Sequence, residues 1–316
     1  MALRLAFVVD PLDALKPAKD SSIAMMREAA RRGHEVWAVQ RGSLSLHGAQ
    51  LHAHAERIEP GAGDAPWYRV LETRACLMHD FDAVLMRQDP PFDFEYITAT
   101  WMLERAAAAG LPVFNHPRAV RDHSEKVSIC EFPALITPTL VSRDEGAINA
   151  FIDLHGDCIL KPLDGMGGAR IFRVRRDDPN RNVIMETLTG DGSQTLMAQR
   201  FIPEIAQGDK RILLIDGEPV PFCLARIPKA GETRGNLAAG GRGVAQALSD
   251  SDWKIARELG PILAARGLLL VGLDVIGDRL TEINVTSPTC FVEITQQTGF
   301  DVAAMFIDAL ERAAVR

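Results

Sequence analysis

Short apolar runs alternate with helical stretches along the first 115 residues of the chain. LRLAFVV, residues 3–9, is typical of a buried strand, SSIAMMREAARRG, residues 21–33, has a serine N-cap and a closing glycine, and EVWAV follows as a second strand. The same order recurs over residues 81–115. Such alternation predicts an α/β domain built on a parallel sheet. The stretch NHPRAVRDHSEK interrupts it, so we expect a domain boundary near residue 122.

After this boundary the pattern changes to pairs of strands with helices between them, which indicates antiparallel α+β architecture. Two apolar runs flank the turn residues DGEP, so residues 212–227 are predicted to form a β-hairpin. Residues 228–243, PKAGETRGNLAAGGRG, are rich in glycine and have no apolar periodicity. Loops this long are usually functional or disordered, and we interpret this one as a lid. The chain then continues as a helix, two strands over residues 268–285, and a helix from Val302 onward.

The composition argues against several classes of protein. The 316 residues carry a formal net charge of −7, whereas proteins that coat nucleic acid or anionic membranes need a dominant basic surface. No run of about 18 apolar residues is present, so a soluble, cytoplasmic protein is expected. The five cysteines are scattered without CxxC spacing, which indicates neither a zinc site nor a disulfide framework.

A lone lysine, Lys161, lies inside the apolar run of ILKPLDGMGG and is followed closely by glycines 165, 167 and 168. A buried ammonium needs an anionic partner, and glycines allow the backbone to approach a ligand closely. The pairing suggests a phosphate held under a hairpin tip. An ordinary glycine-rich hairpin explains the same residues about as well.

Three oxygen-bearing side chains follow two successive strands in GLDVIGDRLTEIN. Glu282 and Asn284 are two residues apart and share one face of a strand, while Ile283 and Val285 face the core. Asp274 joins them if an odd number of turn residues pairs it with Glu282. Two carboxylates and an amide oxygen are suited to Mg²⁺ that also binds substrate phosphates. The alternative is a polar stripe that faces solvent.

Cationic residues at strand ends could hold anionic substrate groups, because the guanidinium fork binds carboxylates and phosphates in bidentate fashion. This group consists of Lys126, Arg211, Arg226 and Arg234. Arg87 and Asp89 follow a strand end, where open α/β sheets place ligand contacts, although a proline-rich turn with an ion pair is the simpler reading of RQDPPFD.

Five runs carry a close resemblance to one family: RQDPPFD, ILKPLDGMGGARIFRV, GDKRILLIDGEPVPFCLARIP, ETRGNLAAGGRG and GLDVIGDRLTEINVTSPT. They resemble the bacterial glutathione synthetases, members of the ATP-grasp superfamily, and the similarity spans almost the whole chain. The resemblance implies an N-terminal preATP-grasp domain, residues 1–122, with a parallel sheet, followed by a two-lobed ATP-grasp domain, residues 123–316. It also implies a homotetramer.

Carried onto this sequence, the resemblance implies a set of site residues. ATP would be bound by Lys126, Lys161, the tip formed by Gly165, Met166, Gly167 and Gly168, the adenine-lining residues Gln199, Arg200, Phe201 and Ile202, and Asp209. Two Mg²⁺ ions, replaceable by Mn²⁺, would be bound by Asp274, Glu282 and Asn284. The catalytic arginines would be Arg211, Arg226 and Arg234, and the substrate would be held by Arg87, Asp89, Asn236, Ser287, Pro288 and Thr289. Many ATP-grasp relatives have glutamate where this chain has Gln199.

The reaction implied by the resemblance joins γ-glutamyl-cysteine to glycine through an acyl phosphate, with ATP converted to ADP and phosphate. A carboxylate and a polyphosphate repel each other, which explains why metal ligands and arginines would share one cleft. Two alternatives stay open: an ATP-grasp ligase with another acid and amine, and a synapsin-like protein that binds ATP in a regulatory role.

Overall fold

The computed structural model describes residues 2–165, 168–229, 232, 235 and 240–314. Within these residues, three β-sheets follow one another, with seven, four and five strands. No helix in this described part is long and apolar enough to cross a lipid bilayer.

The first sheet has parallel strands at its centre, as the alternating pattern predicts. β1 pairs in parallel with β2 and β6, and β6 with β7. Successive residues of β1 face opposite sides of the sheet, so Leu5 and Phe7 pack with α1 while Ala6 and Val8 pack toward α2. The elements are β1 (Arg4–Val9), α1 (Ser21–Arg31), β2 (Glu35–Gln40), β3 (Ser45–His47), β4 (Gln50–Pro60), β5 (Tyr68–Leu77), β6 (Ala83–Met86), α2 (Phe94–Ala108) and β7 (Val113–Phe114).

Two features of this part of the chain, one in the sheet and one in α1, differ from the sequence-based expectation. The strands β3, β4 and β5 extend it in antiparallel fashion, with β4 bonded to β2, β3 and β5. In addition, the N-cap of α1 is Asp20 and not a serine, because its carboxylate accepts hydrogen bonds from the backbone N–H groups of Ser22 and Ile23. Ser21 and Ser22 are buried in the first helical turn.

The second and third sheets are antiparallel throughout, which confirms the change of architecture after the first sheet. The four-stranded sheet has the order β10-β9-β11-β8 and packs against α4 and α5. Its elements, after α3 (Pro117–Asp122), are β8 (Thr139–Ser142), α4 (Glu145–His155), β9 (Asp157–Pro162), β10 (Phe172–Arg175), α5 (Arg181–Thr189) and β11 (Leu196–Arg200).

The five-stranded sheet has the order β14-β13-β12-β15-β16 and contains the predicted hairpin. Asp216 and Gly217 form its two-residue turn. Both residues have positive φ, as a type I′ hairpin turn requires. The C-terminal helix returns to the first sheet, where it packs against α1. The elements are β12 (Asp209–Ile215), β13 (Glu218–Ile227), β14 (Arg242–Ala247), α6 (Asp250–Ala265), β15 (Leu270–Ile276), β16 (Arg279–Asn284), α7 (Phe291–Thr298) and α8 (Val302–Ala314).

Candidate active site

A cavity of about 750 Å³ is lined by strand residues of the second and third sheets and by residues that follow β1 and β6 of the first sheet. The carboxyl ends of β1 and β6 contribute at one end, β9 and β11 form a side wall, and the floor consists of β12, β13, β15 and β16. Most of the site residues expected from the sequence line this one cavity: Asp89, Lys126, Lys161, Gly165, Gly168, Gln199, Arg200, Phe201, Ile202, Asp209, Arg211, Arg226, Asp274, Glu282, Asn284, Ser287 and Thr289. Met166, Gly167, Arg234 and Asn236 lie outside the described residues.

The acidic side chains of β15 and β16 share a face, but the register arises differently from the one expected. The turn between the strands has two residues, an even number, and Ile276 pairs with Arg279. Thr281 is an extra residue in β16, a β-bulge that shifts the register so that Asp274 pairs with Glu282. Ile283 is fully buried in the core below.

Asp274 is held by two arginines from neighbouring strands. Its Oδ1 accepts a hydrogen bond from Arg211 Nε at 2.5 Å, and its Oδ2 lies 2.8 Å from an Arg226 guanidinium nitrogen. Burial acts to raise the pKa of Asp274, but the two guanidinium groups outweigh it and hold this pKa well below its ordinary value. The carboxylate is therefore ionised, and it fixes both arginines in the cavity wall.

Asp209 is the second acid beside Arg226. One carboxylate oxygen bonds the Arg226 guanidinium, while Oδ1 is buried and has no hydrogen-bond partner in the described part of the chain. Burial raises the pKa of Asp209 to about 6, against the opposing effect of Arg226. An unsatisfied, buried carboxylate oxygen that lines a cavity is suited to accept a hydrogen bond from a ligand hydroxyl.

Two lysines converge on Glu282 from the opposite wall. Lys161 Nζ lies 3.4 Å and Lys126 Nζ 3.7 Å from Glu282 Oε1. Lys126 also donates to the carbonyl oxygen of Gly165 at 2.6 Å, which ties it to the glycine-rich tip. Burial, with a contribution from Lys126, lowers the pKa of Lys161 although Glu282 opposes the shift. Two ammonium groups that share one carboxylate leave excess positive charge for an anion.

The cavity is apolar beside β11. Ile159, Ile171, Ile202 and Ile276 line it there, together with Phe201, whose ring lies 3.6 Å from the guanidinium carbon of Arg173. The Gln199 side chain does not extend freely into this space, because its amide nitrogen donates to Thr139 Oγ1 at 3.1 Å. An apolar slot next to a cationic floor matches a flat heterocycle attached to phosphates.

Arg87 and Pro288 are not among the residues that line the cavity, but they contact residues that do. Arg87 is 5% exposed and donates from Nε to Ser22 Oγ and from a terminal nitrogen to the carbonyl oxygen of Pro288 at 2.9 Å. Ser287 Oγ in turn donates to the carbonyl oxygen of Arg87. This arginine therefore fixes the loop that presents Ser287 and Thr289 to the cavity.

Several lining residues were not predicted from the sequence. Four acids occupy the end of the cavity near the first sheet, namely Asp10, Asp20, Asp89 and Glu293, of which only Asp89 was expected. Asp10 follows β1 directly. Because ligands bind at the carboxyl ends of parallel strands, this position could have identified Asp10 as a site residue. Glu125, Thr286 and Cys290 also line the cavity and carried no sequence signal that we recognised.

The donor set formed by Asp274, Glu282 and Asn284 fits Mg²⁺. Asn284 donates its amide nitrogen to Gly272 O, which leaves the amide oxygen as an acceptor on the cavity side. Asp274 accepts three arginine contacts and retains one of its roughly four lone-pair positions. No group of three or more His, Cys, Asp or Glu side chains in the described ranges could hold a metal. Such an ion would therefore need the amide oxygen and ligand phosphates to complete its shell.

Comparisons with known proteins identify the family of the chain. Residues 3–121 match the family model of the prokaryotic glutathione synthetase N-terminal domain, and residues 125–299 match that of its ATP-grasp domain. The chain is 58% identical to a glutathione synthetase of Ralstonia nicotianae over 312 residues, covering 99% of this chain and 96% of the relative. It is 50% identical to the glutathione synthetase of Escherichia coli K12 over 309 residues, 98% of each chain.

Solved structures support the fold independently. The D-cycloserine synthetase DcsG superposes with a TM-score of 0.67 at 18% identity, covering 98% of this chain and 99% of that one. The ATP-grasp ligase PsnB, complexed with a phosphomimetic variant of its minimal precursor, Mg and ADP, gives a TM-score of 0.63 at 19% identity, over 99% of each chain. With two family models that together cover most of its length, the chain belongs to the prokaryotic glutathione synthetases, ligases of the ATP-grasp fold.

Proposed function

We propose that this protein joins γ-glutamyl-cysteine to glycine and converts ATP to ADP and phosphate. The dipeptide carboxylate attacks the γ-phosphorus of ATP, which gives ADP and an acyl phosphate. The glycine amine then attacks the acyl carbon, and phosphate leaves. The observation that supports this proposal best is the convergence of two lysines, two arginines and three oxygen donors on one cavity.

The cationic, apolar and acidic residues of the cavity have different proposed roles in binding ATP. Lys126 and Lys161 hold the phosphates beneath the Gly165–Gly168 tip, and the apolar slot beside Gln199–Ile202 takes the adenine. Asp209 accepts a hydrogen bond from the nucleotide through its unsatisfied oxygen. Both ammonium groups are already fixed by Glu282 and Gly165, so little reorganisation is needed when the phosphates bind.

Arg211 and Arg226 stabilise the carboxylate and the phosphoryl group that it meets. Asp274 aligns the two guanidinium groups, and they bring positive charge to the place where two anions approach each other. Asp274, Glu282 and Asn284 would hold two Mg²⁺ ions, or Mn²⁺ in their place. When bound, these ions would neutralise negative charge on the phosphates.

The dipeptide occupies the end of the cavity lined by Asp89, Ser287 and Thr289. The family resemblance adds Asn236, which lies outside the described residues, as a further contact. Arg87 supports this end by holding the carbonyl of Pro288. We assign the segment 228–243, with Arg234, as the lid that excludes water from the acyl phosphate. Residues 1–122 would form the N-terminal domain and residues 123–316 the ATP-grasp domain.

Phosphate release with purified protein tests the proposal directly. With ATP and Mg²⁺, phosphate should appear only when γ-glutamyl-cysteine and glycine are both supplied, and one glutathione should form per phosphate. Other dipeptides and amines, assayed in parallel, separate this reaction from those of related ligases. Phosphate release that is indifferent to both substrates would rule the proposal out.

Two further properties follow from family membership and are proposed on that basis. The protein would assemble as a homotetramer and act in the cytoplasm. Light scattering coupled to size-exclusion chromatography measures the first, and a molar mass of one or two chains would contradict it. Cell fractionation measures the second.

A further inference from the structure

Glu125 binds the edge strand β16 through both its backbone and its side chain. The carbonyl oxygen of Glu125 accepts a hydrogen bond from the Ile283 N–H at 2.8 Å. Its Oε1 accepts three more, from Val285 N at 2.9 Å, Thr286 N at 3.1 Å and Thr286 Oγ1 at 2.8 Å. Four hydrogen-bond donors in residues 283–286 thus share one acceptor residue, Glu125, from another part of the chain.

These bonds join the two halves of the candidate active site. β16 carries Glu282 and Asn284, which are the proposed metal ligands. The residue after Glu125 is Lys126, whose Nζ bonds the Gly165 carbonyl and lies 3.7 Å from Glu282. Because Glu125 and Lys126 are adjacent in the backbone, a displacement of Glu125 relative to β16 also changes the distance between Lys126 and the metal ligands.

The environment of Glu125 accounts for the need for a side-chain oxygen at this position. β16 lies at the edge of the five-stranded sheet, so only its β15 side is bonded by a neighbouring strand. The backbone N–H groups at its end therefore need other acceptors. The Glu125 side chain supplies such an acceptor, and its Oε1 takes three donors at once.

We propose that Glu125 is a positioning residue that locks the metal-binding strand to the segment carrying the phosphate-binding lysine. It acts through Lys126, Glu282 and Asn284. The inference rests on the proposed nucleotide site. It goes beyond that proposal by assigning a role to a residue that neither the sequence motifs nor the chemistry of the reaction requires.

The test compares two substitutions at the same position by calorimetric titration of ADP in the presence of Mg²⁺. Glu125→Gln keeps an oxygen that can accept the same three bonds, and its affinity should stay within about threefold of the wild-type protein. Glu125→Ala removes that oxygen and should weaken ADP binding by at least about tenfold. Equal weakening in both variants would overturn the proposal, because the negative charge and not the acceptor would then be what matters.

Asn115 provides a matched control for general loosening of the same strand. Its side chain donates to Val285 O, just after β16, and it donates to Leu270 O and accepts from Leu270 N at the start of β15, so Asn115→Ala removes three bonds from this strand pair. In the described part of the chain no hydrogen bond joins Asn115 to Lys126. We expect this variant to lower the melting temperature about as much as Glu125→Ala while ADP affinity changes by less than about threefold. A loss of affinity equal to that of Glu125→Ala would overturn the proposal.

A milder variant covers the case in which either alanine variant does not fold. Thr286→Val removes only the hydroxyl donor to Glu125 and should weaken ADP binding by about threefold with little change in melting temperature. Wild-type affinity in this variant would overturn the proposal. Wild-type protein that does not bind ADP with Mg²⁺ would refute the proposed function instead, so the two failures are distinguishable.

Discussion

Substitution of Asp274 by asparagine removes the charge that holds the two cavity arginines. The side chain of Asp274 is 6% exposed, and those of Arg211 and Arg226 are 8% and 9% exposed. Arg226 keeps a second carboxylate partner in Asp209. Arg211 has no other carboxylate within ion-pair distance in the described ranges, so the loss falls mainly on this residue.

The size of the effect follows from burial. An ion pair at 4 Å contributes about 4 kcal/mol at an effective dielectric constant of 20. Removal of one partner from a buried pair costs about 3–5 kcal/mol, because the remaining charge is left without compensation. We therefore expect Asp274→Asn to lower the free energy of unfolding by about 3–5 kcal/mol at pH 7.

Equilibrium urea denaturation measures this change, and Asp153→Asn is the matched control. Asp153 bonds Arg181 at 2.6 Å, but its side chain is 56% exposed, so the same substitution should leave the free energy of unfolding nearly unchanged. If the two variants were destabilised equally, the burial of the Asp274 cluster would not be the cause and the reasoning would fail.

The pH dependence of the difference between wild type and Asp274→Asn provides a second check. The pKa of Asp274 is depressed in the folded protein, so its stabilising contribution is complete above the pKa of the unfolded chain, about 4. The contribution is lost as the pH falls below that value toward the folded pKa. The difference in stability should shrink as the pH falls below about 4. A difference that grows below this pH would contradict the assignment.

Three further predictions concern the same cavity. Lys161→Met should weaken ADP binding by at least about tenfold in calorimetry, because an anion loses a buried ammonium; unchanged affinity would contradict the phosphate site. Glu282→Gln should lower Mg²⁺-dependent glutathione formation by at least about a hundredfold and raise the Mg²⁺ concentration at half-maximal rate; wild-type Mg²⁺ dependence would exclude this ligand. The pKa of Asp209 is raised to about 6, so the unfolded chain ionises first, and the stability of the wild type relative to Asp209→Asn should fall as the pH rises from about 4 to 6. Denaturation at both ends of this window measures the change, and a rise would refute it.

Local patterns in the sequence predicted those strands and side-chain orientations that depend only on residues nearby in the chain. The apolar runs before and after α1 predicted β1 and β2, and the two-residue spacing of Glu282 and Asn284 predicted that they share a face. The long hairpin of β4 and β5 was missed. β4 alternates histidine and glutamate with alanine, and most of β5 is exposed, so the hydrophobic signal of both strands is weak.

Contacts between distant parts of the chain could not be predicted in this way. The pairing of Asp274 with Arg211 depends on the register of β12 against β15, which brings these two residues directly opposite each other. The bonds of Glu125 depend on how residues 124–135 lie against β16. The burial of Arg87 depends on a loop about two hundred residues away in sequence, at Pro288. Each residue type was visible in the sequence, but its partner was determined by tertiary packing.

The bulge at Thr281 makes the length of the short turn before β16 critical. Side chains of a strand alternate between its two faces, and here the alternation is already offset by one extra residue. Deletion of Thr281 itself would only remove the bulge and would leave Glu282 opposite Asp274. Loss of one residue from the two-residue turn would instead move Glu282 opposite Leu273, carrying the acid into the hydrocarbon interior and exposing Ile283 in its place. We therefore expect this turn to accept changes of residue type far more readily than a change in the number of its residues.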